Sequence, residues 1–251
     1  MSSLLKTLGE RIRESRVWRS VVRRGAARTN RIRSLAIFGN LFLHVLPVKV
    51  REQSLRVRAT YYLGSFSLFL FVVLTLTGIM LMFYYHPAAP RAYDDMKDLR
   101  FVVANGVFLR NLHRLAAQAM VIAVFWHMFH VFYRGGYKPP HEFNWIVGVA
   151  LLLLTLLLSY TGYLLPWDQL AFWAITVGTN IIAYIPLLGS PIRFLLLGGN
   201  EIGENALLRF FVLHCVVLPL VAILLIAVHF WRIQKDGGLT IRQNHGRKQG
   251  V

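Results

Sequence analysis

Long apolar stretches alternate with shorter polar ones along this chain. Four stretches are each dominated by apolar residues over about twenty positions: 61–85, 111–133, 145–165 and 208–233. A helix of about twenty residues crosses a hydrocarbon core of about 30 Å. Backbone polar groups in lipid must be paired within the segment, and these stretches are too long for barrel strands. The pattern predicts an all-α membrane protein, a bundle of four transmembrane helices, called here the first to fourth spans.

The polar regions contain amphipathic segments. Pro166 ends the third span, and residues 168–188 alternate apolar with small polar residues, as a helix lying along the membrane surface would. Segment 1–33 is rich in arginine with spaced apolar residues and suits a helix on an anionic membrane surface. An organelle transit peptide looks similar, but Glu10 and Glu14 count against one. The predicted parts are a basic cytoplasmic extension 1–45, a four-helix domain 46–239 and a basic cytoplasmic tail 240–251.

The charge is strongly positive and unevenly placed. The 251 residues carry a net charge of +17 although 56% are hydrophobic. Lysines and arginines number fourteen from Lys6 to Arg58, two between the second and third spans, and five from Arg232 onward. On the opposite face, basic and acidic residues are mixed. The positive-inside rule therefore places both termini in the cytoplasm, here of a bacterial cytoplasmic membrane, and the basic excess indicates lipid headgroups rather than nucleic acid as its partner.

Four histidines lie inside the second and fourth spans at similar intervals. His113 and His127 are fourteen residues apart, and His214 and His229 are fifteen apart. These intervals correspond to about 21–22 Å along a helix, with both members facing broadly the same way. If the two spans pack side by side, the histidines meet as an outer pair, His113 with His214, and an inner pair, His127 with His229. Each pair supplies the two nitrogens of a six-coordinate haem iron. The single cysteine, Cys215, excludes a Cys-x-x-Cys-His attachment, so a haem would be bound non-covalently.

Glycines on the first and third spans repeat the fourteen-residue interval. Gly64 and Gly78 lie on the first span, and Gly148 and Gly162 on the third. Small residues in membrane helices often only allow close helix contact, and a membrane histidine can be an interhelical hydrogen bonder. The shared interval favours a second interpretation, in which the glycines leave gaps for a flat porphyrin at two depths.

At this point the residues resemble a known family. Residues 61–239 resemble the N-terminal half of cytochrome b from cytochrome bc complexes, and most of all its short, split form, cytochrome b6. The motifs that carry the resemblance are RNLHR at 110–114, WHMFH at 126–130, GYLLPWDQ at 162–169, RFFVLH at 209–214 and HFWRIQKDGG at 229–238. The fifteen-residue interval on the fourth span is that of the split form.

The resemblance implies a four-helix bundle with two b-type haems. His113 and His214 would bind the low-potential haem iron near the outer face, and His127 and His229 the high-potential one near the cytoplasmic face. Three further cations would approach the haem propionates or, alternatively, lipid headgroups: Arg110, Arg114 and His130. The split form tethers a third haem through a cysteine, but Tyr62 occupies that position here. A covalent haem is therefore not expected.

The resemblance also implies one wall of a quinol oxidation pocket after the third span. Its candidates are Gly162, Pro166, Trp167, Asp168 and Trp173. The two tryptophans could equally be interfacial anchors, and Asp168 could be only a helix cap. The Pro-Glu-Trp-Tyr motif that completes this pocket in the family does not occur in the sequence. This subunit is therefore not expected to be active alone.

The implied function is that of the dihaem cytochrome b subunit of a quinol:cytochrome c oxidoreductase, with quinone as substrate. The implied partners are a subunit IV-like protein with the C-terminal half of cytochrome b, a Rieske-type iron–sulfur protein and a c-type cytochrome, in a dimeric complex embedded in lipid. Two alternatives stay open: a dihaem cytochrome b anchor of a hydrogenase or formate dehydrogenase, and a haem-free membrane scaffold or transporter. The GYLLPWDQ segment and the glycine pairs favour the bc-type function.

Overall fold

The computed structural model describes residues 61–236, and this part of the chain contains helices and no strands. The helices are α1 Leu63–Met82, α2 Arg91–Phe101, α3 Gly106–Tyr133, α4 Glu142–Leu164, α5 Gln169–Ala183, α6 Gly189–Leu197, α7 Glu204–Val212 and α8 Leu218–Asp236. A π-helical segment, Leu213–Val217, joins α7 to α8. The extension 1–45 and the tail 240–251 lie outside the described residues. The all-α prediction is confirmed.

Four helices are long and apolar enough to cross a membrane. They are α1, α3, α4 and the continuous helix Glu204–Asp236, with 20, 28, 23 and 33 residues. They overlap the four predicted spans, and the chain is an integral membrane protein. Large apolar side chains on them are exposed, among them Phe69, Leu76 and Ile122, each 60% exposed. Such exposure is what helices surrounded by lipid require, since lipid tails solvate apolar groups.

The helix ends differ from the predicted span ends. α3 begins at Gly106 and α7 at Glu204, ahead of the predicted starts at 111 and 208, because the helices continue beyond their apolar stretches. The first span begins two residues late. Tyr61 and Tyr62 have φ angles of 48° and 53°, which a right-handed helix excludes.

The polar connections hold more helices than predicted. Residues 168–188 were expected to form one surface helix, but α5 ends at Ala183 and the separate α6 follows. Pro186 disfavours helical backbone at Ile185, and Leu187 has a φ of 66°, so the helix cannot continue. The short α2 was not predicted, because only two apolar positions, Leu99 and Ala92, are fully buried in it.

The chain divides into two compact units. The first unit contains Leu63–Phe125 and Leu152–Ile223; the second contains Trp126–Leu151, the described residues from Leu224 onward, Tyr61 and Tyr62. The outer histidine pair belongs to the first unit and the inner pair to the second.

Three buried clusters hold the first unit together. One joins α4, α5, α6 and α7 through Leu164, Ile175, Leu197, Ala206 and Phe210. A second joins α1 to α3 through Leu70, Ala116 and Ala123. A third holds Tyr85, Ala92 and Leu207.

Two tyrosine hydroxyls add polar ties within this unit. The Tyr85 hydroxyl donates to the Leu165 carbonyl at 2.6 Å, and the Tyr160 hydroxyl donates to the Ala174 carbonyl at 2.9 Å. Burial raises the pKa of Tyr85, so its hydroxyl keeps the proton that it donates. The Tyr160 bond fixes α5 to α4.

Candidate functional site

The first unit brings the two histidines of the outer pair face to face. His113 lies on α3 and His214 in the π-helical segment. Their ring centroids are 6.3 Å apart, with the ring planes at 76°. Both side chains are half-buried.

A glycine backs each histidine of the outer pair. A Cβ added at Gly78 on α1 would lie 3.2 Å from His113 Cε1. A Cβ added at Gly162 on α4 would lie 2.5 Å from His214 Cε1 and 3.1 Å from its Nε2. At 2.5 Å the added Cβ would collide with the ring of the half-buried His214. These glycines therefore give the imidazole rings their space. That they also leave gaps for a porphyrin stays a prediction.

A threonine precedes each of these glycines and contacts the same histidine. Thr77 Oγ1 lies 2.8 Å from His113 Nδ1, and Thr161 Oγ1 lies 3.2 Å from His214 Nδ1. Both threonines are buried. The sequence reasoning missed them. The signal that could have found them is the Thr-Gly dipeptide, which occurs at matching places in the first and third spans.

The π-helical segment explains the unequal intervals of the two histidine-bearing spans. A π turn holds about one residue more than an α turn, because its hydrogen bonds run from i to i+5. Such single turns occur frequently at functional sites. The segment Leu213–Val217 begins one residue before His214 and continues into the fifteen-residue interval to His229. It therefore absorbs the one residue by which this interval exceeds that of α3.

The second unit contains the inner pair. The ring centroids of His127 on α3 and His229 on α8 are 6.4 Å apart, with the ring planes at 78°. A Cβ at Gly148 on α4 would lie 3.3 Å from Met128 Sδ and 3.7 Å from His229 Cε1. This glycine thus also faces a histidine, with more space. The role of Gly64, near the start of α1, stays a prediction.

A haem fits both pairs by bond length. A metal bond to a histidine nitrogen is about 2 Å long and that nitrogen lies about 1 Å from its ring centre, so two imidazoles on opposite sides of one iron have ring centres about 6 Å apart. The measured 6.3 and 6.4 Å agree with this separation. Among residues 61–236 no group of three or more His, Cys, Asp or Glu could hold a metal ion. A haem iron needs only two axial ligands from the protein, since its macrocycle supplies the others.

The candidate propionate partners are placed at the helix ends. Arg110 is half-buried and Arg114 exposed in the first turns of α3, and neither forms an ion pair with a described residue. Their charges thus stay available to an anionic group. His130, in the last turn of the same helix, packs edge-on against Tyr61 with ring centroids 5.1 Å apart.

The candidate quinol-pocket residues lie in and around the turn that joins α4 to α5. Trp167 has a φ of 52°, a strained angle for a bulky residue, and packs against two of the buried clusters. Asp168 caps α5, accepting the backbone N–H of Ala171 at 2.8 Å. Both line an open depression of about 430 Å³ with Tyr93, Gln169 and Leu170. The other three candidates, Gly162, Pro166 and Trp173, do not line it. Trp173 is 55% exposed and packs edge-on against Phe172, and Gly162 faces His214. Pro166 is half-buried beside Trp167.

A buried ion pair closes α8 one turn beyond His229. The Arg232 guanidinium lies 3.1 Å from the Asp236 carboxylate, and both side chains are almost completely buried. The guanidinium also lies 5.2 Å from the ring centroid of Phe143 on α4. Charges buried at this depth are held only when paired. The pair lies within α8, and the contact of Arg232 with Phe143 joins the end of α8 to α4.

Known proteins are similar to this chain in sequence and in fold. The family described as Cytochrome b/b6/petB matches residues 48–237. The chain is 39% identical to the cytochrome b6 of Heliomicrobium gestii and to that of Heliobacterium mobile, in each case over 177 residues, 70% of this chain and 83% of the relative. Among solved structures, a chain of a hyperthermophilic respiratory Complex III matches with a TM-score of 0.66 and 26% identity, covering 82% of this chain and 53% of that one. This chain thus spans about half the length of that structural relative. By its sequence over most of its length and by its fold, the chain belongs to the cytochrome b/b6 family of membrane electron-transport proteins.

Proposed function

We propose that this chain is the dihaem cytochrome b subunit of a bc-type quinol:cytochrome c oxidoreductase. It would carry electrons across the membrane between a quinol oxidation site on the outer face and a quinone reduction site on the cytoplasmic face. Family membership supports a role in such a complex. The presence of two haems and the direction of electron transfer go beyond what family membership supports.

The observation that carries the proposal is the arrangement of four histidines in two pairs. Each has a centroid separation that suits two axial ligands of one iron, and each is backed by glycine on a neighbouring helix. Bound haems would supply one-electron redox centres. The chain's own residues would hold them: imidazoles as ligands, buried apolar side chains as the low-dielectric surround, and Arg110, Arg114 and His130 as partners for the propionates. Tyr62 provides no thiol, so both haems would be held non-covalently.

The quinol site would be shared with a second subunit. One wall would be formed by the strained turn at Trp167, by Asp168, which caps α5, and by the depression beside them. The other wall would come from a subunit IV-like protein, in line with the half-length match to the Complex III chain. A Rieske-type protein and a c-type cytochrome would accept the electrons, and the complex would be a dimer in the bacterial cytoplasmic membrane, with both termini of this chain in the cytoplasm.

Purification of the complex through a tag on this chain tests the proposal. We expect reduced b-type absorption bands and quinol-dependent reduction of a c-type cytochrome, with a protein carrying Pro-Glu-Trp-Tyr among the subunits. Reduced b-type bands with hydrogenase or formate dehydrogenase subunits, and no quinol-dependent reduction of cytochrome c, would replace the proposal with the membrane-anchor alternative. An absence of b-type bands would reject both.

A further inference from the structure

We propose that Thr77 and Thr161 are positioning residues that fix the tautomer of the outer histidine pair and lower the reduction potential of the outer haem. Each hydroxyl contacts the Nδ1 atom of one histidine, Thr77 that of His113 and Thr161 that of His214. The inference rests on the proposed function, because it takes a haem as the ligand of this pair. It assigns a role to two residues that neither the histidine nor the glycine pattern includes.

The other contacts of the two hydroxyls determine which atom carries each hydrogen. Thr77 Oγ1 lies 2.7 Å from the Val73 carbonyl oxygen, and Thr161 Oγ1 lies 2.8 Å from the Leu157 carbonyl oxygen. A carbonyl only accepts, and a hydroxyl has a single proton, so each threonine donates to its own helix. The hydroxyl oxygen is then left as an acceptor. The histidine must donate to it from Nδ1–H.

This hydrogen-bond direction prepares both imidazoles for iron. A neutral imidazole has one N–H, and when it is on Nδ1 the lone pair is on Nε2. An acceptor on the N–H side orients the ring and makes it a more basic ligand. A more basic ligand stabilises the ferric state relative to the ferrous state. The two hydroxyls should therefore lower the reduction potential of the outer haem.

The inner pair lacks this arrangement. In the described part of the chain no hydrogen bond reaches the buried Nδ1 atoms of His127 and His229, although the backbone of Asn144 lies near His229. The hydroxyl contacts therefore distinguish the two sites, and the difference has the sign needed for a lower-potential outer haem.

A competing acceptor exists for each outer histidine. The backbone carbonyls of Leu74 and Leu158 lie near His113 and His214, and they also lie 3.2 Å from the hydroxyls of Thr77 and Thr161. If these carbonyls held the Nδ1–H groups, the hydroxyls would have no influence on the haem. The experiment must therefore remove the hydroxyl alone.

The substitutions Thr77→Val and Thr161→Val in the purified complex remove the hydroxyl alone, because valine keeps the branched shape of threonine. We expect equilibrium redox potentiometry of the b-type bands to show a raised midpoint for the outer haem and an unmoved midpoint for the inner one. The low-spin EPR signal of the outer haem should shift as well. Thr77→Ser and Thr161→Ser should restore the parental midpoint. The matched control is Thr75→Val, which removes an equivalent hydroxyl bond to the Phe71 carbonyl on the same helix without contacting a histidine.

Each outcome decides the proposal. The proposal is overturned if the midpoint potential of the outer haem is unmoved in both valine variants while both haems are present, because the Nδ1–H groups would then be bonded to the carbonyls. An equal shift of that potential in Thr75→Val would also overturn it. Loss of the outer haem from a valine variant supports the proposal if the serine variant retains the haem, and overturns it if the serine variant loses it too. A parent complex without b-type haem would instead reject the proposed function itself.

Discussion

At the residue scale, the glycines that face histidines differ in how much space they protect. The missing Cβ would lie 2.5 Å from the imidazole at Gly162, 3.2 Å at Gly78 and 3.7 Å at Gly148. The nearest atom at Gly148 belongs to the flexible side chain of Met128, which can move aside. The destabilisation caused by an added methyl group should therefore decrease from Gly162 to Gly78 to Gly148.

The first prediction is a graded series of glycine-to-alanine variants. Gly162→Ala should displace His214 and lose the outer haem, with an overpacking cost of about 1–3 kcal/mol. Gly78→Ala should bind the outer haem more weakly, and Gly148→Ala should keep both haems. Haem content per chain and thermal unfolding measure the series. Haem loss from Gly148→Ala with none from Gly162→Ala would contradict the packing seen here.

The sequence predicted some of these residues and missed others for physical reasons. Histidine in a membrane helix is costly, so His113 and its three counterparts stand out at once, and their intervals define the pairs. Threonine satisfies its hydroxyl within its own helix and is ordinary in a membrane, so Thr77 and Thr161 gave no signal alone. The collision at Gly162 depends on how α4 packs, which the spacing of glycines does not specify.

At the element scale, long apolar stretches determined what could be predicted. The four spans follow from hydropathy, whereas α2 and α6 are short and lie in mixed sequence. The π-helical segment was also unpredicted, because its residues Leu213–Val217 are as apolar as the α-helical residues around them. Only the extra residue in the fourth-span interval hinted at it.

The second prediction concerns this segment. Deleting Val216 should convert it to regular α-helix and leave a fourteen-residue interval, as on α3, so both haems should be retained. The matched control is deletion of Val121, between the histidines of α3, where no π turn can absorb the change and one haem should be lost. Haem content measures both variants. Equal haem loss from the two deletions would show that the π turn does not absorb the extra residue.

The third prediction separates two roles of Asp168. Asparagine is as good an N-cap as aspartate, whereas alanine removes the bond to Ala171 N–H at a cost of about 1 kcal/mol. We expect Asp168→Ala to lower the thermal stability of the complex and Asp168→Asn to preserve both stability and quinol oxidation. A slow Asp168→Asn enzyme with normal stability would show that the carboxylate acts on quinol.

At the scale of the whole molecule, the positive charge and the apolar helices together define an orientation. The positive-inside rule supports the proposed orientation, in which the basic residues before the first span and after the fourth would lie on the cytoplasmic side. The fold class follows from the sequence with certainty only because four membrane-length helices leave few alternatives.

The fourth prediction tests that orientation. A green fluorescent protein fused after Val251 should fluoresce and an alkaline phosphatase fused there should be inactive. A phosphatase fused after Ala104, between α2 and α3, should be active. The reverse pattern would invert the membrane topology and exchange the outer and inner sites.

The proposed function rests on two histidine pairs that would each hold one haem. The pyridine haemochrome count of b-type haem per chain in the purified complex, for the parent and for His113→Leu and His127→Leu, tests this. We expect two haems in the parent and one in each variant, the outer haem being lost from the first and the inner haem from the second. Two haems in both variants, or none in the parent, would contradict it.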